Sequence, residues 1–459
     1  QARKNGAKVL SISPEGAQNA AFSHDRIRIR PGTDRFFAAA AIHRFLEKGQ
    51  PDQLIISSTI NWDTFEKLIS NQSINELLKG CDIDQDNLNL LFSYYFGRET
   101  CATIIGAGLQ RYDYGGENVR FINALALTSG NIGISGGGSY FHLHSLKNLN
   151  TQWTDVSKQF PRRSFRAPMI GKEIASADPP VRMIWVNGSN VVNQSPDIYG
   201  TIKAFENIEF KVVTDAFMTD TAKLADLFLP STLMFEQEDI IGSYLHDFVH
   251  YVPPVIEPPD AAKDDFWIFT QVGKRLIPPV DLPDLQACLQ NGLNTKLLNI
   301  SLNALQKQKF VRAVRNPIPY AGLKSDHADQ KFRLPGSLHP EPEAPKEYPL
   351  RLLSLIRQNA IHSQILPENQ KSPPTAWVSP ETLKHIGIEP GKTVYLVSPK
   401  GTMEVFLKEK EGLYPNTVLY RRGDWLSCGG GVNRIIEAAI TDMGSGAAIY
   451  RQYVRLENR

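Results

Sequence analysis

At 459 residues, with 42% hydrophobic and 21% charged residues, the chain reads as a soluble globular protein of roughly three domains. A formal net charge of +2 gives no electrostatic warrant for a nucleic-acid or membrane-surface partner, and no apolar run reaches the ~20 residues of a membrane span. The 33 Gly and 30 Pro argue for many turns, and the four widely spaced cysteines (Cys81, Cys101, Cys288, Cys428) fit neither an iron–sulfur or zinc motif nor a secreted disulfide framework.

The first residues, to Ala7, read as the end of a helix feeding a strand, so a segment upstream is expected. Ala7 to Pro14 is an apolar strand closed by Ser13-Pro14, and Asp25 to Arg30 alternates with period two. After the turn Pro31-Gly32-Thr33-Asp34, a helix is predicted from the spacing of Phe36, Phe37, Ala40, Ala41, Phe45 and Leu46. Amphipathic helices follow over 63–78 and 84–96. Thr100 to Gly108 is expected to be a buried strand running into a Gly-rich turn, with a helix over 117–127 beyond it. A domain crossover is placed in the polar, Arg-rich stretch 149–180.

Val181 to Val186 is another strand, ending at Asn187-Gly188-Ser189-Asn190, and Pro196-Asp197 opens a helix to Glu206. Phe210 to Pro230 then reads as strand, loop, helix, strand, a βαβ unit whose first strand ends on Asp215. Strands alternating with helices at this spacing imply parallel sheets. The Pro-rich stretch 251–346 is expected to be irregular and connecting, with a helix around Asp264 to Leu276 and its strongest linker character over 316–346. From 347 onward the pattern is β-rich and predicts a small barrel. The fold class is therefore α/β, with Rossmann-like parallel sheets over 1–150 and 151–250 and a β-barrel over 347–459.

Three polar loops lie at the carboxyl ends of predicted parallel strands, where open α/β sheets bind ligands. Gly106-Ala107-Gly108 lets backbone amides approach a pyrophosphate, although Arg111 stands where a nicotinamide fingerprint needs its third glycine. Asn187 to Asn190 is the second loop. At the third, Asp215 can accept the N1–H and N2–H of guanine or hydroxyls of a ribose. Any one of these could be structural capping; three together point to a nucleotide. His246 and His250 stand at i, i+4, but their neighbours read as extended and Asp247 replaces the zincin Glu, so no metal site is assigned. His142 and His144 point to one face of an extended segment beside the Ser135 to Ser139 loop and are candidates for lining a pocket.

With these residues in view, the run Thr214 to Thr232 (TDAFMTDTAKLADLFLPST) resembles the D-x-F-x-T-x-T-A-x-x-A-D-x-x-L-P signature of the dimethyl sulfoxide reductase superfamily. The likeness covers nearly the whole chain. It includes the turn at 31–34, the G-x-G-x-Q-R loop from Gly106, LALTSGNIG from Leu125, the loop at Asn187, and blocks at 357–363, 425–433 and 450–451. It implies an oxidoreductase of formate dehydrogenase-like type that carries molybdenum or tungsten on bis-molybdopterin guanine dinucleotide, with a double-psi-type C-terminal barrel. By the same likeness Gly106, Gln110, Asn190, Thr214, Asp215 and Asp265 line the cofactor, as do Arg357, His362, Ser363, Asn433 and Arg451 of the barrel. Ser13 and Glu15 depart from the family's Asp-Pro-Arg and weaken one guanine-side contact.

The resemblance further implies that the metal ligand and an iron–sulfur cluster lie on an N-terminal segment or split subunit outside this sequence. An iron–sulfur electron-transfer subunit is the expected partner. The catalytic residue and the compartment stay open. The alternative is a scaffold subunit that keeps the fold without the cofactor, against which the retained polar strand ends argue.

Overall fold

A run of eight consecutive buried residues, Arg35 to Ile42, makes the helix Asp34–Leu46 the centre of the first unit. A helix covered on every side over two turns belongs in a core, and this one packs against the helix Gly115–Thr128 and the helix Ile74–Cys81. In this computed structural model the described residues are 2–15, 21–97, 99–141, 144–152, 163–259 and 261–459. Strands β1 (Leu10–Ser13) and β2 (Asp25–Arg28) pair in parallel beside that helix, as do β3 (Ala102–Ile104) and β4 (Gly138–Tyr140). The single helix expected over 63–78 is two, Trp62–Ser70 and Ile74–Cys81. Ser73 caps the second by accepting from the Glu76 amide. β3 was expected to be buried; instead its side chains alternate, with Ala102 and Ile104 on an uncovered face, Ile104 at 86% exposure, and Thr103 half-buried on the other.

The second unit is the parallel sheet of β5 (Met183–Asn187), β6 (Phe210–Asp215) and β7 (Leu227–Pro230), in spatial order 5-6-7. The helix Ile198–Glu206 crosses between β5 and β6 and buries Ile198, Ala204 and Phe205 against Val186 and Val213. Asp197, with φ at 58°, caps that helix through the Gly200 amide. The crossover placed over 149–180 falls in part on residues 153–162, which lie outside the described residues, as does His142.

The largest difference from the expected layout spans 239–312, across the boundary placed at 250 between a parallel α/β unit and an irregular stretch. β8 (Asp239–Ile241), β9 (Phe248–Val252) and β10 (Phe310–Arg312) form an antiparallel sheet that shares a core with the helices Leu285–Leu293 and Leu302–Gln308. Its prolines fall in the connections, while Asp284 and Ser301 cap the two helices. Only the chain beyond it, towards residue 349, is largely extended; it straps the first unit, with Asn61 and Leu334 exchanging two hydrogen bonds of 3.0 Å.

The last unit is a closed barrel of β11 (Leu350–Leu355), β12 (Thr375–Val378), β13 (Thr393–Ser398), β14 (Gly401–Glu409), β15 (Thr417–Arg421) and β16 (Tyr453–Asn458). The order around it is 11-15-12-14-13-16, with β11–β15 and β12–β14 parallel and the other pairs antiparallel. Closure leaves no free sheet edge, and side chains such as Leu352, Val405, Leu407 and Val418 are fully buried in the interior.

The barrel meets the first unit through a buried ion network. Arg35, fully buried, lies 3.1 Å from Glu117 and 2.9 Å from Glu341, which in turn lies 2.7 Å from Arg351. Desolvating four charges is tolerable only with every partner in place. Asp442 of the barrel also accepts from the amides of Gly116 and Glu117 at the start of the helix Gly115–Thr128, where a negative charge suits the helix dipole.

Candidate functional site

Two loci emerge where the units meet. The first is a cavity of about 130 Å³ between the barrel, the loop after β5 and the short helix Ala107–Arg111. His362, Ser363 and Asn433 line it, together with Arg111 and Arg422. Gly423 forms part of its wall with φ at +111°, and a Cβ there would fall 1.8 Å from the His362 carbonyl oxygen, so only glycine fits.

The charge balance of this cavity is uneven. Burial, followed by the neighbouring Arg111, pushes the Arg422 guanidinium below its ordinary value. Burial, then Arg422 and Arg111, holds the His362 imidazole below its usual range. Asp424 also lines the cavity, but it is consumed by Arg357 and by the Tyr420 hydroxyl, which donates at 2.6 Å. Several buried polar atoms have no partner among the described residues, including Nε of Arg357, Arg422 and Arg434 and Oδ1 of Asn433. Unpaired buried donors are costly, and guanidinium groups without counter-charge suit a phosphate-like anion.

The second locus is the carboxyl edge of β5 and β6. Asp215 ends β6 and accepts from the Phe217 amide at 3.2 Å. Burial raises its pKa; hydrogen bonds from backbone amides oppose the shift, and the nearby Asp265 adds to it. Asp265 itself accepts from the Asn187 side chain at 2.9 Å. Two facing carboxylates beside an amide and the left-handed Gly188 make an acceptor-rich edge that can take N–H or O–H donors of a ligand.

The expected site residues divide accordingly. His362, Ser363 and Asn433 share the cavity, and Asp215 and Asp265 share the second edge. Asn190 is buried: its Oδ1 accepts from the Thr221 amide and hydroxyl, and its Nδ2 has no partner among the described residues. Gly106 caps the short helix Ala107–Arg111 that carries Gln110 and Arg111, and a Cβ on Gly106 would meet open space. Arg357 is tied to Asp424 and to the Arg421 carbonyl, forming the wall behind the cavity. Arg451 lies outside the cavity lining and pairs with Asp113 at 3.3 Å. Thr214 turns inward; fully buried, its hydroxyl accepts from the Trp185 indole at 2.8 Å.

The reading missed Asn193, Gln194 and Arg422. The Arg421-Arg422-Gly423 step at the end of a strand was the available signal for the last. His246 sits at the tip before β9 and His250 within it, their ring centroids 5.7 Å apart, with Nδ1 of His246 accepting from the Phe248 amide.

Comparison with known proteins adds an independent line. Residues 1–275 match the family model "Molybdopterin oxidoreductase", and residues 357–453 match "Molydopterin dinucleotide binding domain". The chain is 29% identical over 485 residues to the probable oxidoreductase YyaE of Bacillus subtilis (strain 168), covering 100% of this chain and 72% of that protein. It is 22% identical over 445 residues to formate dehydrogenase H of Escherichia coli (strain K12), covering 87% and 62%. The fold resembles that of acetylene hydratase from Pelobacter acetylenicus with a TM-score of 0.80 at 15% identity, covering 100% of this chain and 75% of that one.

Proposed function

Because the chain belongs to the molybdopterin oxidoreductase family, we propose that it holds a bis-molybdopterin guanine dinucleotide cofactor, with molybdenum or tungsten, in an oxidoreductase of formate dehydrogenase-like or related anaerobic type. The observation that carries this reading is the cavity that Arg111 and Arg422 line together, with no free carboxylate among the described residues that line it. Half-buried guanidinium groups in that arrangement suit the pyrophosphate of one dinucleotide arm, with His362, Ser363 and Asn433 offering polar atoms around it.

Asp215 and Asp265 suit the donor edge of a guanine or a ribose on the other arm, with Asn187 and Asn190 ordering the loop between them. Gly106 and Gln110 stand beside Arg111 where backbone can approach phosphate, and Arg451 adds positive charge on the first-unit side. When bound, the metal–pterin group supplies the electron transfer; the chain's own residues bind it, orient it and screen it from water. Turnover of that kind needs an electron carrier, and an iron–sulfur segment or subunit is the partner proposed.

Mo and W analysis, with guanine release on acid hydrolysis of protein purified with its native neighbours, tests the reading. Stoichiometric guanine with either metal supports it. Absence of both metals and of guanine overturns it in favour of a scaffold that keeps the fold without the cofactor.

A further inference from the structure

Asp220 lies five positions beyond Asp215, in the loop after β6, and is buried to 7% exposure. Its carboxylate reaches across to the barrel. Oδ2 accepts from the Leu426 amide at 2.7 Å, and Oδ1 accepts from the Ser427 amide at 3.2 Å. The Asn193 side chain donates to the same Oδ2 at 3.3 Å and to the Asp424 carbonyl at 2.8 Å. Asn433 closes the circuit, donating to the carbonyls of Asn193 and Gln194 at 2.9 and 2.8 Å. One hydrogen-bonded chain thus runs from the loop that starts at Asp215 to the barrel segment 424–433, which lines the arginine cavity.

We propose that Asp220 is a positioning residue that fixes the Asp215 loop to the barrel segment 424–433, so that the two ligand loci take a single relative geometry. The inference rests on reading those loci as contacts for the two arms of one cofactor. Two ligand arms joined through a common centre demand a fixed spacing between their end sites, since misplacement at either end is felt at the other. A carboxylate suits the task because it accepts from two backbone amides and a side-chain amide at once. Charge-assisted bonds of this kind are roughly twice as strong as neutral ones. In Asp220→Asn one oxygen becomes an NH2 group facing a backbone N–H, and the latch opens at that point.

Hydrogen exchange on the full chain, without ligand and then with GDP as the probe, tests this. Without ligand, Asp220→Asn is expected to speed exchange over 424–433 about tenfold, and Asn193→Ala to do so less. The double variant should exchange little faster than Asp220→Asn alone, because both open the same latch. In an Arg422→Met background, GDP bound at the Asp215 edge should still protect 424–433, and adding Asp220→Asn should remove that remote protection while leaving 187–191 protected. Unchanged exchange over 424–433 in Asp220→Asn, or remote protection that survives it, overturns the proposal. Should GDP protect neither locus in the unmodified chain, the nucleotide reading of the loci falls, and the ligand-free exchange still decides the latch. Should Asp220→Asn fail to fold, the Asn193→Ala comparison stands in for it with the same expected direction, and unchanged exchange there overturns the proposal.

Discussion

The Glu15 carboxylate lies 3.3 Å from the Arg421 guanidinium and so fastens the loop after β1 to the end of β15. Lys410 approaches the same oxygen at 3.1 Å, and Glu15 is only 7% exposed. A position whose family pattern would carry Arg here carries the opposite charge, and the barrel supplies the cations. The weakened guanine-side contact expected at Ser13 and Glu15 is thus accompanied by an ion pair between units. Glu15→Gln leaves two partly buried cations unneutralised and is expected to destabilise the fold by about 2 kcal/mol, read by chemical denaturation.

Burial pushes the Asp34 carboxyl up to about 6, with Glu341 adding to the shift and Arg35 opposing it. Between about 4 and about 6 the folded chain holds a proton that the unfolded chain has released, so this group makes stability fall as pH rises through that window. Asp34→Asn should remove that slope and gain about 1–2 kcal/mol above pH 6, after allowance for the solvent that reaches this partly exposed residue. Unfolding midpoints across pH 4 to 7 in the two proteins check it; parallel curves would contradict the assignment.

Arg422 sits in the cavity with its Nε unpaired among the described residues and its guanidinium pressed by Arg111. Arg422→Met is expected to raise the stability of the ligand-free chain by about 1 kcal/mol while weakening GDP binding about tenfold. Opposite signs in the melting and titration experiments are the signature of a site tuned for an anion at the expense of the empty fold.

The raised pKa of Asp215 has a binding consequence. A guanine edge needs the ionised carboxylate, so GDP affinity at this locus should decline on acidification, and the decline should begin at higher pH than an ordinary aspartate would give. Asp215→Asn should weaken binding at neutral pH and abolish the acid limb. Titrations from pH 7 down to pH 4 distinguish this from a structural defect, which would lower affinity equally at every pH.

How much of this was legible in the residues depended on how local each feature is. Thr33-Asp34 before a run of Phe and Ala announces a buried helix, and an apolar run ending in Asp215 announces a strand with an acid at its ligand edge. The barrel could be read from its alternating strands. The sheet of β8 to β10 was legible only in part: the neighbours of His246 and His250 read as extended, but Pro253, Pro254, Pro258 and Pro259 dominate the composition beyond them, and β9 pairs with β10 about 60 positions on. Arg111, Asn193 and Arg422 become neighbours only through docking of separate units, and no window of sequence contains all three. Thr214 shows the converse: a residue in the most specific motif whose hydroxyl is spent on holding Trp185.

The cavity also carries a timetable. Arg111 and Arg422 are about 310 residues apart in the chain. At roughly 5–20 residues per second of synthesis, the second arginine follows the first by about 15–60 s. The first unit can bury its own core in that interval, but the anion cavity does not exist until the barrel has emerged and docked. Any ligand held by both arginines must therefore be loaded after the barrel has been made, onto a chain in which both units are already present.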